Sequence, residues 1–78
     1  MITLNKEKLR ELMKAKTGKP GKPEGNYRKF AGMLGVTPTH LWRLLTRPEQ
    51  RAGVGFLGKL ADYCREQDLN VIEYIFLE

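Results

Sequence analysis

Apolar residues recur at every third or fourth position along most of this chain, a spacing typical of helices that bury one face. The first such stretch covers about residues 6 to 16 behind an Asn5 cap, and another covers about residues 54 to 67. Asn70 and Glu73 make a capping-box-like start to a last short helix. Its apolar edge consists of Ile72, Ile75 and Phe76. Apart from this apolar C-terminal run there is no strand signal, so the pattern predicts an all-α chain.

Two further helices are predicted between residues 26 and 45. Asn26 precedes a single helical face made of Tyr27, Phe30, Ala31 and Leu34. Gly35 follows at once, where helices commonly end in the left-handed conformation that glycine adopts without steric cost. Thr37 then offers a second cap, and Pro38 takes the first helical position, where its missing N–H is not needed. The chain is therefore expected to turn sharply at Gly35.

The second of these two helices divides its side chains between an inward and an outward face. The inward stripe consists of Leu41, Leu44 and Leu45. The side chains that point elsewhere are Thr39, His40, Trp42 and Arg43. Two helices joined by a turn of three or four residues containing glycine have the geometry of the DNA-binding helix-turn-helix motif. Residues 26 to 45 are therefore a candidate for that motif.

A family resemblance rests on five residues of this segment. Ala31, Gly35, Val36, Leu41 and Leu44 resemble the small-residue, turn-glycine and core positions of the phage-repressor (Cro/XRE) class of helix-turn-helix proteins. With its flanks, the resemblance covers nearly the whole chain. It implies an all-α, compact bundle of about five helices, a lambda-repressor-like DNA-binding domain over residues 1–78 with the motif as helices two and three. It also implies sequence-specific binding of double-stranded DNA by a transcriptional repressor of phage or mobile-element type.

Two features depart from the family's pattern. Tyr27 stands where the first position of helix two is usually glutamine, and residues 17–25 replace a usually short connection. Prolines and glycines prevent this segment from continuing a helix, which predicts a flexible loop carrying Lys19 and Lys22. Either these lysines reach a phosphate backbone, as loops on rigid scaffolds often do, or the loop is a solvated insertion.

The resemblance assigns base contacts to the outward face of the second motif helix, whose N-terminal residues enter the major groove. These residues are Pro38, Thr39, Trp42 and Arg43. The planar fork of Arg43 matches the paired acceptors of guanine, the alternative being a phosphate contact or a solvated side chain. Trp42 is atypically large for its position. It faces the DNA, leans onto the fourth helix or enters a dimer interface.

Phosphate contacts are expected at helix starts, where free amides and the positive end of the helix dipole attract anions. The residues assigned to them are Asn26, Tyr27, Arg28, His40, Arg47, Arg51, Gly55 and Phe56. The hydroxyl of Tyr27 can replace the usual glutamine's hydrogen bond, or its ring can be buried under the first helix. His40 has no second ligand at metal-binding spacing, so no metal is expected.

Length and charge narrow the possible functions. Seventy-eight residues leave little room for a catalytic cleft beside a core, so the chain is not expected to be an enzyme. The net charge is +5, but residues 1–61 hold 13 Lys and Arg against 4 Asp and Glu, whereas residues 62–78 hold 1 against 5. This asymmetry suits a polyanion such as nucleic acid, with the acidic end kept away from it.

Cys64, the single cysteine, continues the apolar face of the fourth helix and is predicted to be a buried thiol. Because the chain has one cysteine, an intramolecular disulfide is excluded. The chain shows neither a signal-peptide pattern nor an apolar run of the ~20 residues that span a bilayer. These features predict a cytoplasmic protein with no membrane association, and nothing indicates a cofactor or a small-molecule substrate.

Proteins of the resembled class bind two half-sites roughly 34 Å apart as two-fold dimers, so a homodimer on a two-fold symmetric operator is expected. The apolar stretch from Val71 to Leu77 either supplies this self-interface or only closes the core. Two alternative functions stay open. One is a protein-binding module, antitoxin-like or antirepressor-like, that kept the bundle. The other is a non-specific nucleic-acid binder driven by the lysine-rich loop.

Overall fold

Four α-helices pack beside a two-stranded antiparallel sheet in the computed structural model, which describes residues 2–77. The elements in chain order are β1 (Ile2–Leu4), α1 (Lys6–Thr17), α2 (Tyr27–Leu34), α3 (Pro38–Thr46), α4 (Val54–Glu66), a 3-10 helix (Val71–Tyr74) and β2 (Ile75–Leu77). The predicted positions of the first four helices are confirmed to within one or two residues.

The turn between α2 and α3 follows from local capping. The side chain of Asn26 accepts the backbone N–H of Lys29 at 3.0 Å, which starts α2. Gly35 ends that helix in the left-handed conformation at φ +79°, as predicted. Thr37 then accepts the backbone N–H of His40 at 3.2 Å, and α3 begins at the next residue. The predicted pair of short helices hinged at Gly35 is confirmed.

The core lies between the four helices. Its largest fully buried side chains are Phe30, Leu9, Leu41, Leu44, Leu45, Leu60 and Cys64. The three leucines of α3 are among them, so the predicted inward stripe is confirmed, and Cys64 is buried as expected. Phe30 meets the ring of Tyr63 edge-on, with ring centroids 6.3 Å apart, which joins α2 to α4.

The prediction of an all-α bundle of about five helices is wrong. Residues 71–74 form only a 3-10 turn, and Ile75–Leu77 then continue as a strand that pairs with Ile2–Leu4. Four residues are too few to stabilise an α-helix, and the residues that follow include Ile and Phe, which favour strands. The backbone N–H of Asn5 donates to the carbonyl of Tyr74 at 2.8 Å and holds the two chain ends together.

The C-terminal segment also turns a different face to the core than predicted. Tyr74 is the buried residue, whereas Ile72 and Phe76 of the expected apolar edge are 55% and 52% exposed. Leu77 is exposed as well, and Ile75 is half-buried. Core closure therefore uses Tyr74, and several apolar side chains of this segment stay on the surface.

Candidate nucleic-acid interface

The outward face of α3 is exposed along its length. Pro38, Thr39, Trp42 and Arg43 all lie on the surface, opposite the buried leucines. Trp42 is 47% exposed and stands outside the core. The side chain of Arg43 forms no hydrogen bond or ion pair with any of residues 2–77. This face presents an unengaged guanidinium and an aromatic ring to solvent.

A groove of about 590 Å³ runs beside α3. Its lining residues are Lys22, Asn26, Tyr27, Arg28, Pro38, Thr39 and Trp42. Six of them, from α2, α3 or the cap of α2, are predicted DNA contacts. The seventh, Lys22, lies in the connection between α1 and α2 and is one of the two lysines expected there as possible phosphate contacts. Trp42 thus borders the same groove as Tyr27 and Arg28 of α2. Tyr27 is partly buried against the core and still lines the groove. Among residues 2–77, no acidic side chain lines it.

Three helix starts share an electrostatic feature. The first turns of α2, α3 and α4 contain no acidic residue, whereas α1 has Glu7 there. At the start of α4, Gly53 supplies no side-chain cap, so the first amides of this helix have no side-chain acceptor. No carboxylate in the first turn of these three helices therefore offsets the positive end of the helix dipole.

His40 connects the middle of the candidate surface to α4. Its ring centroid lies 5.9 Å from that of Phe56, and the two rings are tilted by 54°. This contact brings together three predicted phosphate-binding positions, because Gly55 and Phe56 belong to the first turn of α4. Phe56 itself is buried, so only its backbone amide can serve such a contact.

Two cations of α1, which sequence reasoning did not assign to any site, hold the end of α3 and the connection between α3 and α4. Lys6 Nζ donates to the carbonyl oxygens of Arg47 at 2.8 Å and Gln50 at 2.6 Å. Arg10 donates from its guanidinium to the carbonyl of Leu45. Burial, aided by the charge of Arg10, lowers the pKa of Lys6. The only sequence signal was the placement of both cations on one face of α1, four residues apart.

Other predicted contacts lie apart from the groove. Arg51 lines a second groove of about 500 Å³ between β1 and the α3–α4 connection. Arg47 is exposed in that connection, and Lys19 is exposed without lining the first groove. The predicted phosphate contacts are therefore distributed among the groove beside α3, the His40–Phe56 contact and the α3–α4 connection.

The connection between α1 and α2 contains a tight turn. The backbone N–H of Lys22 donates to the carbonyl of Lys19 at 2.8 Å, and the N–H of Lys19 donates back to the carbonyl of Lys22 at 3.2 Å. Gly25 has φ +98° and approaches the buried Thr17, whose hydroxyl oxygen accepts the N–H of Asn26 at 2.8 Å. This hydrogen-bonded path places Lys22 in the groove.

Comparison with protein-family models, curated proteins and solved structures gives no significant match. Within residues 2–77, no three His, Cys, Asp or Glu side chains are grouped so that they could hold a metal ion. Across the same residues, no helix is both long and apolar enough to cross a membrane.

Proposed function

We propose that this chain binds double-stranded DNA sequence-specifically and acts as a transcriptional repressor, as its resemblance to phage-repressor (Cro/XRE) proteins implies. The observation that carries the proposal is the division of α3 into a fully buried leucine stripe and an exposed outward face. Thr39 and Arg43 lie one turn apart on that face. A helix that inserts its N-terminal half into the major groove reads bases with side chains placed in this way.

The surroundings of α3 support a polyanionic ligand. Lys22 and Arg28 line the adjacent groove, to which residues 2–77 contribute no acidic side chain. The first turns of α2, α3 and α4 have none either. Free amides at such helix starts bind phosphate. The acidic residues of the chain lie largely in residues 62–78, which hold 5 Asp and Glu. A DNA duplex against α3 would therefore meet basic groups and helix N-termini.

The proposal includes a cytoplasmic location and a homodimer on a two-fold symmetric operator. One copy of α3 offers few base contacts, and two copies double the number of bases read. The exposed apolar side chains of Ile72, Phe76 and Leu77 support a self-interface, because a partner surface would remove their apolar area from water.

Selection from random duplex DNA tests the proposal directly. The purified full chain, Arg43→Ala and Arg65→Ala are each incubated with the same duplex pool at physiological salt, and the enriched sequences are compared. Arg65 is the matched control because it is exposed and paired with Asp62 at the acidic end of α4. We expect a two-fold symmetric motif for the parent and for Arg65→Ala. Arg43→Ala should lose about 1 to 3 kcal/mol of discrimination at one base pair.

The same experiment separates the alternatives. A motif unchanged in Arg43→Ala would contradict base recognition by this residue. Binding without an enriched motif, with affinity falling steeply as salt rises, would favour a non-specific nucleic-acid binder. Absence of binding would favour a protein-binding module, for which the exposed Ile72, Phe76 and Leu77 at the acidic end of the chain are the supporting observation.

A further inference from the structure

We propose that the turn between α1 and α2 is a second DNA-contacting element, in which Lys22 contacts a phosphodiester of the duplex that α3 reads and Lys19 does not. This inference rests on the proposed function and deepens it, because it assigns a role to the segment in which this chain departs from the family it resembles. Of the two lysines in the turn, only Lys22 lines the groove beside α3.

The position of Lys22 beside α3 supports this assignment. Lys22 shares the groove with Trp42 and Arg28, so the turn and the outward side of α3 border one continuous surface. A helix in the major groove has a phosphate backbone along each of its flanks, because the groove is only about 12 Å wide. Lys22 is therefore placed where a flanking backbone runs when α3 is docked.

The turn that carries Lys22 is held in place by backbone hydrogen bonds. Reciprocal hydrogen bonds join Lys19 and Lys22, and the N–H of Gly25 donates to the carbonyl of Lys22 at 3.2 Å. Beyond Gly25, the N–H of Asn26 is bound to Thr17. A cation on such a support loses less conformational freedom on binding than one on an unstructured loop.

The chemistry of the groove also fits a phosphodiester. Lys22 and Arg28 supply charge, and Trp42 and Tyr27 supply rings. No carboxylate from the described part of the chain lines the site. A phosphodiester matches the cations, while the adjacent sugar presents an apolar edge to an aromatic ring. Most protein–DNA hydrogen bonds are made to phosphate and sugar, and they hold the protein in register without reading sequence.

Salt dependence of binding tests this assignment. Lys22→Ala and Lys19→Ala are matched variants, because both remove one exposed lysine side chain and keep the backbone hydrogen bonds of the turn. The affinity of each for the duplex enriched by the parent is measured between 50 and 200 mM salt. One phosphate contact contributes about 0.9 to the slope of log affinity against log salt. When the salt concentration rises across this range, the affinity of Lys22→Ala should therefore fall about 3.5-fold less than that of the parent.

We expect the parental slope for Lys19→Ala and an unchanged base preference for both variants. A slope for Lys22→Ala equal to that of the parent would overturn the inference and leave the proposed function standing. An equal reduction in Lys19→Ala would also overturn it, because the effect would then come from net charge alone. If the parent enriches no duplex, the proposed function fails first, and this inference fails with it.

Discussion

The hydroxyl oxygen of Thr17 accepts the backbone N–H of Asn26 at 2.8 Å, and the same hydroxyl donates to the carbonyl of Met13 at 2.7 Å. Thr17 is the last residue of α1 and is buried, and Asn26 is the cap of α2. One side chain therefore ties the end of α1 to the start of α2 across the whole intervening turn. The place of Lys22 beside α3 depends on this link.

Thr17→Val should destabilise the protein by about 1 to 3 kcal/mol, because the N–H of Asn26 loses its acceptor while remaining partly buried. Thr17→Ser keeps the hydroxyl and is the matched control, with a smaller expected loss. Urea denaturation gives the free energy of unfolding of each variant. Equal losses in the two variants would contradict the importance of the hydroxyl and point to packing of the methyl group.

Gly25→Ala should destabilise the protein by about 1 to 3 kcal/mol, because its backbone is left-handed at φ +98°. An added Cβ would also lie 2.7 Å from the hydroxyl oxygen of Thr17 and 2.9 Å from the carbonyl oxygen of Met13. Gly21→Ala, in the same connection, meets nothing within 4 Å and should change stability by less than about 0.5 kcal/mol. Thermal unfolding of the pair checks the contrast, and similar melting temperatures would refute it.

Tyr63→Phe should leave stability unchanged or raise it by up to about 1 kcal/mol at neutral pH. The hydroxyl of Tyr63 is buried and has no hydrogen-bond partner among residues 2–77, and removing such a group relieves a desolvation penalty. The ring contact with Phe30 stays in place. Denaturant titration of parent and variant measures the difference. A loss above 1 kcal/mol would mean that the hydroxyl makes a stabilising interaction.

Stability should fall as the pH rises into the alkaline range. Burial raises the pKa of Tyr63 above its ordinary 10.0 and that of Cys64 above its ordinary 9.0. The folded state thus holds these protons more tightly than the unfolded state. The stability that the two groups contribute is complete below about pH 9 and is lost as the pH rises through their pKa values in the folded state. Unfolding free energies measured across this range should decline less steeply in Tyr63→Phe than in the parent. Parallel declines would contradict the raised pKa of Tyr63.

Trp42→Ala should separate binding from stability. Because Trp42 is 47% exposed and outside the core, the variant should lose about 1 kcal/mol of stability or less. Under the proposed function, its affinity for the enriched duplex should fall about tenfold or more, equivalent to about 1.4 kcal/mol. Leu44→Ala is the contrasting variant, since Leu44 is fully buried and its truncation should cost about 2 to 5 kcal/mol. A large stability loss in Trp42→Ala would show that the ring supports the fold instead.

Local sequence features were enough to predict the helices and the turn that carry the candidate interface. The caps Asn26 and Thr37 and the glycine at 35 act on backbone groups within a few residues, so their signals are complete in a short window. The inward leucines of α3 followed from helical spacing in the same way. The outward positions of Trp42 and Arg43 were then a geometric consequence.

Long-range contacts decided the remainder. The helix expected at the C-terminus is a 3-10 turn and a strand because Ile75–Leu77 meets Ile2–Leu4 from the other end of the chain. Lys6 binds carbonyls 41 and 44 residues away, and Lys22 lies in the same groove as Trp42. A strand pair or a cation–carbonyl contact has its partner outside any local window. Only the packing of the whole chain brings such groups within bonding distance, whereas capping and helical periodicity act between neighbours.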